Sequence, residues 1–168
     1  MRLTVLALVL AATASLHAQT VSLEYRVKAA YLFNFAKFID WPPTASAGPL
    51  VICVAGRNVF GDVLDETLRG ETINGRAVIS RVILEPEPGC HIVFVPRGAA
   101  AAAYLRAAQG EPVLTVGESA DFIMLGGIAN FILEGSNVRF EMNPAAADRG
   151  GLRISSRLLR LARDTGRL

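Results

Sequence analysis

At 168 residues, 52% of them hydrophobic and 19% charged, the chain is long enough for one well-cored domain and too apolar for disorder, which excludes a multidomain enzyme. Seventeen Lys+Arg face 15 Asp+Glu, and a formal net charge of +2 is too weak a field to make nucleic acid the expected partner. There are two cysteines and two histidines, and His17 falls in the leader described next, so His/Cys metal clusters and His-based triads have almost nothing to be built from.

Residues 1–18 begin with Met1-Arg2, run apolar over 3–14 and reach Ala18 through Ser15, Leu16 and His17. A short basic start, an apolar stretch of about a dozen residues and a small residue at the cut form the pattern of a secretory signal peptide. Read instead as a transmembrane anchor, the stretch falls short of the roughly 20 residues that a bilayer core requires. No cysteine stands near the cut to take a lipid. The expectation is a cleaved leader over 1–18, a single domain over 19–168 and a soluble protein of the bacterial periplasm. Removing the leader takes away Arg2 and no acid, so 16 basic and 15 acidic residues remain and any electrostatic steering has to be local.

Residues 24–40 contain no Gly or Pro and carry Val27, Tyr31, Phe35 and Phe38 at helical spacing. The second half of this predicted helix is apolar nearly all round, so it is either well buried or covered by a partner through Tyr31, Phe35 and Phe38. Trp41-Pro42-Pro43 ends it. The apolar run 50–55 reads as a buried strand, and 57–69 as a helix with Val59, Phe60, Val63, Leu64 and Leu68 as its stripe. Asn74-Gly75 predicts a tight turn before a strand over 76–84, and 85–89 a stiff loop.

A second buried strand is expected at 91–95, an alanine-rich helix at 99–108 and a third parallel strand at 113–116. Residues 129–133 and 138–142 predict a β-hairpin. Asn143-Pro144 then opens a terminal helical region in which Arg149, Arg153 and Arg157 recur every four residues. The fold class expected is α/β: one domain with a mixed, mostly parallel sheet sandwiched by helices, closing with a hairpin and a helix.

Few residues offer chemistry. The turn 56–61, with Arg57 and Asn58, lies where α/β sheets bind anions, but lacks both the P-loop ending and the dinucleotide spacing. Gly126-Gly127 reads as a cradle or simply as a turn. Asp62, Asp65 and Glu66 suit the start of a helix by charge alone. Ser119 lacks the second glycine of a nucleophile elbow, and His91 stands alone at the head of a strand. No catalytic set, metal site or cofactor is therefore expected. The Arg149, Arg153 and Arg157 row either grips a small anion or is a solvated face. Cys53 and Cys90 become neighbours if their strands pair, as a disulfide in an oxidising compartment or else as two buried thiols.

Three stretches taken together carry a resemblance: 27–42 (VKAAYLFNFAKFIDWP), 51–61 with its Cys-Val-x-Gly core, and 131–162 with GLRISSRLLRLA. They resemble the YfiR family across almost the whole mature chain. The resemblance implies a periplasmic, homodimer-forming repressor. It would bind the periplasmic sensory portion of an inner-membrane diguanylate cyclase and lower cyclic di-GMP and biofilm formation until redox stress or a ligand releases it. Cys53 and Cys90 match a cysteine pair of the family, so their bridge is expected. The family's second pair, toward the C-terminal half, is missing here. Binding of a small periplasmic ligand is also implied, with Arg57, Asn58, Arg149, Arg153 and Arg157 as candidates.

Overall fold

Six consecutive apolar residues leave a strand no wet face, and Leu50–Ala55 is accordingly buried along its whole length in the interior of a seven-stranded sheet. The structure, a computed structural model, describes residues 22–163, so the expected leader lies outside the described residues. In chain order the elements are α1 (Leu23–Phe38), β1 (Ile39–Asp40), β2 (Leu50–Ala55), α2 (Val63–Leu68), β3 (Thr72–Ile73), β4 (Arg76–Ile83), β5 (Ile92–Val95), α3 (Ala101–Ala107), β6 (Leu114–Gly117), β7 (Ala129–Glu134), β8 (Asn137–Met142), α4 (Pro144–Arg149), β9 (Arg153–Ile154) and α5 (Ser156–Leu159).

The sheet order is β3-β4-β2-β5-β6-β7-β8. Strands β4, β2, β5, β6 and β7 run parallel, with β3 and β8 antiparallel at the two edges. Numbered along the chain, the parallel strands stand in the order 2-1-3-4-5, the flavodoxin-like doubly wound arrangement. From β2 the chain moves one way across the sheet through α2 to β4; from β5 it moves the other way through α3 to β6. Right-handed crossovers in opposite directions place α2 and α3 on opposite faces. This leaves the α2 face of β5–β8 without a crossover helix, and α1 covers it.

That covering resolves the apolar excess of α1. Phe35 has no exposed surface; its ring stacks on Phe131 at 5.7 Å and meets Phe140 edge-on at 5.0 Å. The chain's own β7 and β8 cover this face, so Phe35 is not available as a partner surface, as the helix pattern alone had allowed. Tyr31 is half-buried against Phe35, Phe131 and Phe140. On the opposite face Val51, Cys53, Val93 and Val95 pack with Tyr104 of α3 and with Phe122. Phe122 presses so close to the backbone that a Cβ on Gly117 or Gly127 would lie 2.2 Å from its ring, which gives Gly127 a packing reason to be glycine.

Two expected helices are corrected. The helix expected over 57–69 begins only at Val63, because the Asn58 side chain accepts from the Phe60 amide (3.1 Å) and donates to the Gly61 carbonyl (2.9 Å), holding 57–62 as a turn. The single terminal helix is broken: Gly151 at φ +73° stops α4, with the Leu152 amide returning to the Ala147 carbonyl at 3.0 Å. The chain then pairs β9 with β1, Ile39 opposite Ile154, before re-entering helix at α5. Arg149, Arg153 and Arg157 therefore sit on three different elements and make no row.

Candidate functional site

In a doubly wound sheet, ligands bind beyond the carboxyl ends of the strands where the winding reverses, here between β2 and β5. The groups gathered at that edge are Tyr25 and Lys28 of α1, Phe60 after β2, Arg97 after β5 and Glu118 after β6. Lys28 and Glu118 are almost wholly buried, at 1% and 4% exposure. The Glu118 carboxylate accepts from Lys28 Nζ at 2.5 Å, from the Tyr25 hydroxyl at 3.0 Å and from the Arg97 amide at 2.7 Å. Lys28 also pairs with Glu24 one helical turn back, and its Nζ lies 4.7 Å from the centre of the Tyr25 ring.

Burial of the phenol, and next the Glu118 charge beside it, push the Tyr25 hydroxyl up to about 12, so it stays a donor throughout the physiological range. The Tyr25 ring meets Phe60 edge-on at 5.5 Å. The first turns of α1 thus cross the switch point and close it with an internally neutralised polar cluster. These residues were not singled out from sequence. The available signal was Lys28 itself, a cation four residues after Glu24 and flanked by Val27, Ala29 and Ala30.

The disulfide joins Cys53 of β2 to Cys90 in the loop before β5, with Cα atoms 5.8 Å apart and both residues buried. Of the two states left open by the pairing of these strands, the structure has the disulfide, as the family resemblance implied. Above it lies Arg81 of β4, whose Nε is 3.5 Å from the Cys53 sulfur and whose Nη2 is 3.8 Å from the Cys90 sulfur. The same guanidinium donates to the Pro88 carbonyl at 3.0 Å and pairs with Glu87 at 3.1 Å. Arg81 fastens the 85–89 loop over the sulfurs.

At the opposite edge His91 and Arg76 hold the segment that follows Trp41-Pro42-Pro43. The Val51 amide donates to His91 Nδ1 at 3.1 Å, so the neutral ring carries its proton on Nε2 and donates it to the Ala45 carbonyl at 2.8 Å. Arg76 donates to the carbonyls of Gly48 (2.7 Å) and Pro49 (3.2 Å), and its Nη2 lies 2.9 Å from His91 Nε2. Burial lowers the His91 pKa, and the Arg76 charge adds to this against the opposing Ala45 carbonyl. The folded state thus holds His91 neutral, while the unfolded chain takes up a proton near the ordinary value of about 6.5. Stability contributed here is complete above about pH 6.5 and is lost as pH falls through that value toward the lowered folded pKa. Unfolding free energy measured by denaturant between pH 7.5 and 5.5 is expected to decline on the acid side, by at most about 1.4 kcal/mol per pH unit. In His91→Asn, which keeps an acceptor for the Val51 amide, that decline is expected to vanish.

The other residues proposed from sequence are spread out. Arg57 and Asn58 are exposed, and both polar ends of the Asn58 amide are spent on its own turn. Arg157 lies over the half-buried Phe38 ring at 5.6 Å, and Arg153 is exposed on β9. Among the described residues no group of three or more His, Cys, Asp or Glu is placed to hold a metal ion. None of the described helices is long and apolar enough to cross a membrane.

Together these features define a disulfide-stapled, doubly wound α/β domain whose switch-point crevice is filled by its own first helix. A family model described as YfiR/HmsC-like matches residues 25–163, which takes in every element of the sheet and nearly all of α1. The chain belongs to the YfiR/HmsC-like family, which places it among regulators of cyclic di-GMP signalling.

Proposed function

We propose that this chain is an exported negative regulator. In this reading it binds the periplasmic sensory domain of an inner-membrane diguanylate cyclase and represses synthesis of cyclic di-GMP, and with it biofilm formation. The family match over residues 25–163 carries the reading. A buried disulfide suits an oxidising compartment, in line with the leader expected over 1–18. A switch point closed by Tyr25, Lys28 and Glu118 suits a domain that works through its surfaces.

Repression requires only that the regulator bind the inactive conformation of the cyclase more tightly than the active one; a signal acts by weakening that preference. The protein works as a homodimer in this reading. Of the aromatic residues suggested for the contact surface, Phe38 and Tyr31 keep partial exposure, and Phe38 lies under Arg157. The one disulfide formed, Cys53–Cys90, is the candidate for redox response.

The test is intracellular cyclic di-GMP in a strain deleted for the gene and complemented either with the full chain or with a form lacking residues 1–18. A rise on deletion, reversed only by the full chain, is the expected result. An unchanged level in cells that express a cyclase with a periplasmic domain overturns the proposal and favours a periplasmic module for a small anionic ligand.

A further inference from the structure

A groove of about 640 Å³ lies between α3, the 118–127 loop and the end of α4. Its size lies within the range of small-molecule sites. Leu105 of α3 and Leu125 of the loop form apolar walls, and Thr115 of β6 lies at the base. Thr115 is 2% exposed, and its Oγ1 accepts the Ile128 amide at 3.0 Å, which leaves the hydroxyl proton for an acceptor in the groove. At the mouth stand Arg106 and Arg149, both exposed, and neither forms an ion pair among the described residues. The one carboxylate lining the groove is that of Glu111. Two guanidiniums against one carboxylate leave a single net positive charge beside an apolar trough.

We infer that this groove binds an amphipathic organic monoanion, with its apolar body between Leu105 and Leu125 and its anionic head on Arg106 and Arg149. A guanidinium offers a planar fork of donors that a carboxylate or sulfonate matches with two oxygens. The apolar walls supply affinity without direction, and the two arginines on different elements supply orientation. Arg149, placed by sequence in a row with Arg153 and Arg157, thus works with Arg106 of α3 instead. The inference goes beyond the regulatory reading: binding belongs to the isolated domain and stands or falls apart from any cyclase.

The experiment uses the purified mature chain with anilinonaphthalene sulfonate as the fluorescent probe, followed by displacement with octanoate and with the neutral octanol. One saturable probe site per chain is expected, displaced by octanoate at concentrations where octanol fails. Arg106→Gln and Arg149→Gln are each expected to weaken octanoate about tenfold, the effect of losing one charge-assisted hydrogen bond. Both side chains are exposed, so the thermal midpoint should not move, and that reading separates lost contact from lost fold. Equal displacement by octanol, an unchanged octanoate affinity in the Arg106→Gln/Arg149→Gln double variant, or the absence of saturable probe binding overturns the assignment.

Discussion

Glu118→Ala is expected to lower the unfolding free energy by about 3 kcal/mol, the low end of the cost of breaking a buried ion pair, because it leaves a buried ammonium with only a partly exposed carboxylate as its partner. Lys28 is 1% exposed, and without Glu118 its remaining partner is Glu24, whose side chain is 31% exposed. The Tyr25 hydroxyl and the Arg97 amide lose their shared acceptor in the same step. For a domain of this size the corresponding fall in thermal midpoint is roughly 10 °C. The companion variant Lys28→Met/Glu118→Gln separates causes: Gln keeps an acceptor for Tyr25 and Arg97, Met fills the space of the lysine stem, and no charge is left buried. Much of the lost stability should return in that pair. Denaturant unfolding of both variants decides the matter. A loss below about 1 kcal/mol in Glu118→Ala would mean that water reaches Lys28 and that the pair behaves like a surface ion pair.

The second large effect is at the disulfide. Cys53 and Cys90 are 37 residues apart, and the chain-entropy account of such a loop gives a stabilisation of about 4 kcal/mol. Cys53→Ala/Cys90→Ala is expected to approach that loss, with Ala chosen because a serine hydroxyl at the buried Cys53 position would add a desolvation cost of its own. Repression measured well below the new melting temperature then distinguishes two roles. Intact repression makes the bridge a staple; loss of repression in a folded variant makes it the redox switch. Arg81, within 4 Å of both sulfurs, bears on the second outcome, since a guanidinium at that distance favours the thiolate when the bridge is reduced.

Much of the architecture was legible in the residues. The apolar run at β2, the alternation of β4 and the two halves of the β7–β8 hairpin follow from side-chain period and turn chemistry, which act over a few residues. The cysteine pairing was legible because two short apolar strands with cysteines at or beside them had to be close if they paired. Misreadings fell where a local competitor defeats periodicity. At 57–62 the Asn58 side chain holds the turn before the helix begins. At Gly151 a left-handed residue ends α4, and an arginine spacing that fits one helix is divided among α4, β9 and α5.

The sites illustrate the same boundary. Short-range pattern was sufficient for the α/β class of the chain, and its motifs for the resemblance to a regulatory family. Those properties depend on residues near one another in sequence. Tertiary structure alone decided what covers α1, what closes the switch point and which arginine faces which groove. Lys28 meets Glu118 across 90 residues, and Arg106 and Arg149 approach one groove from α3 and α4. Such meetings are set by the direction of each crossover and by the face it leaves bare, and no window of the chain contains that information.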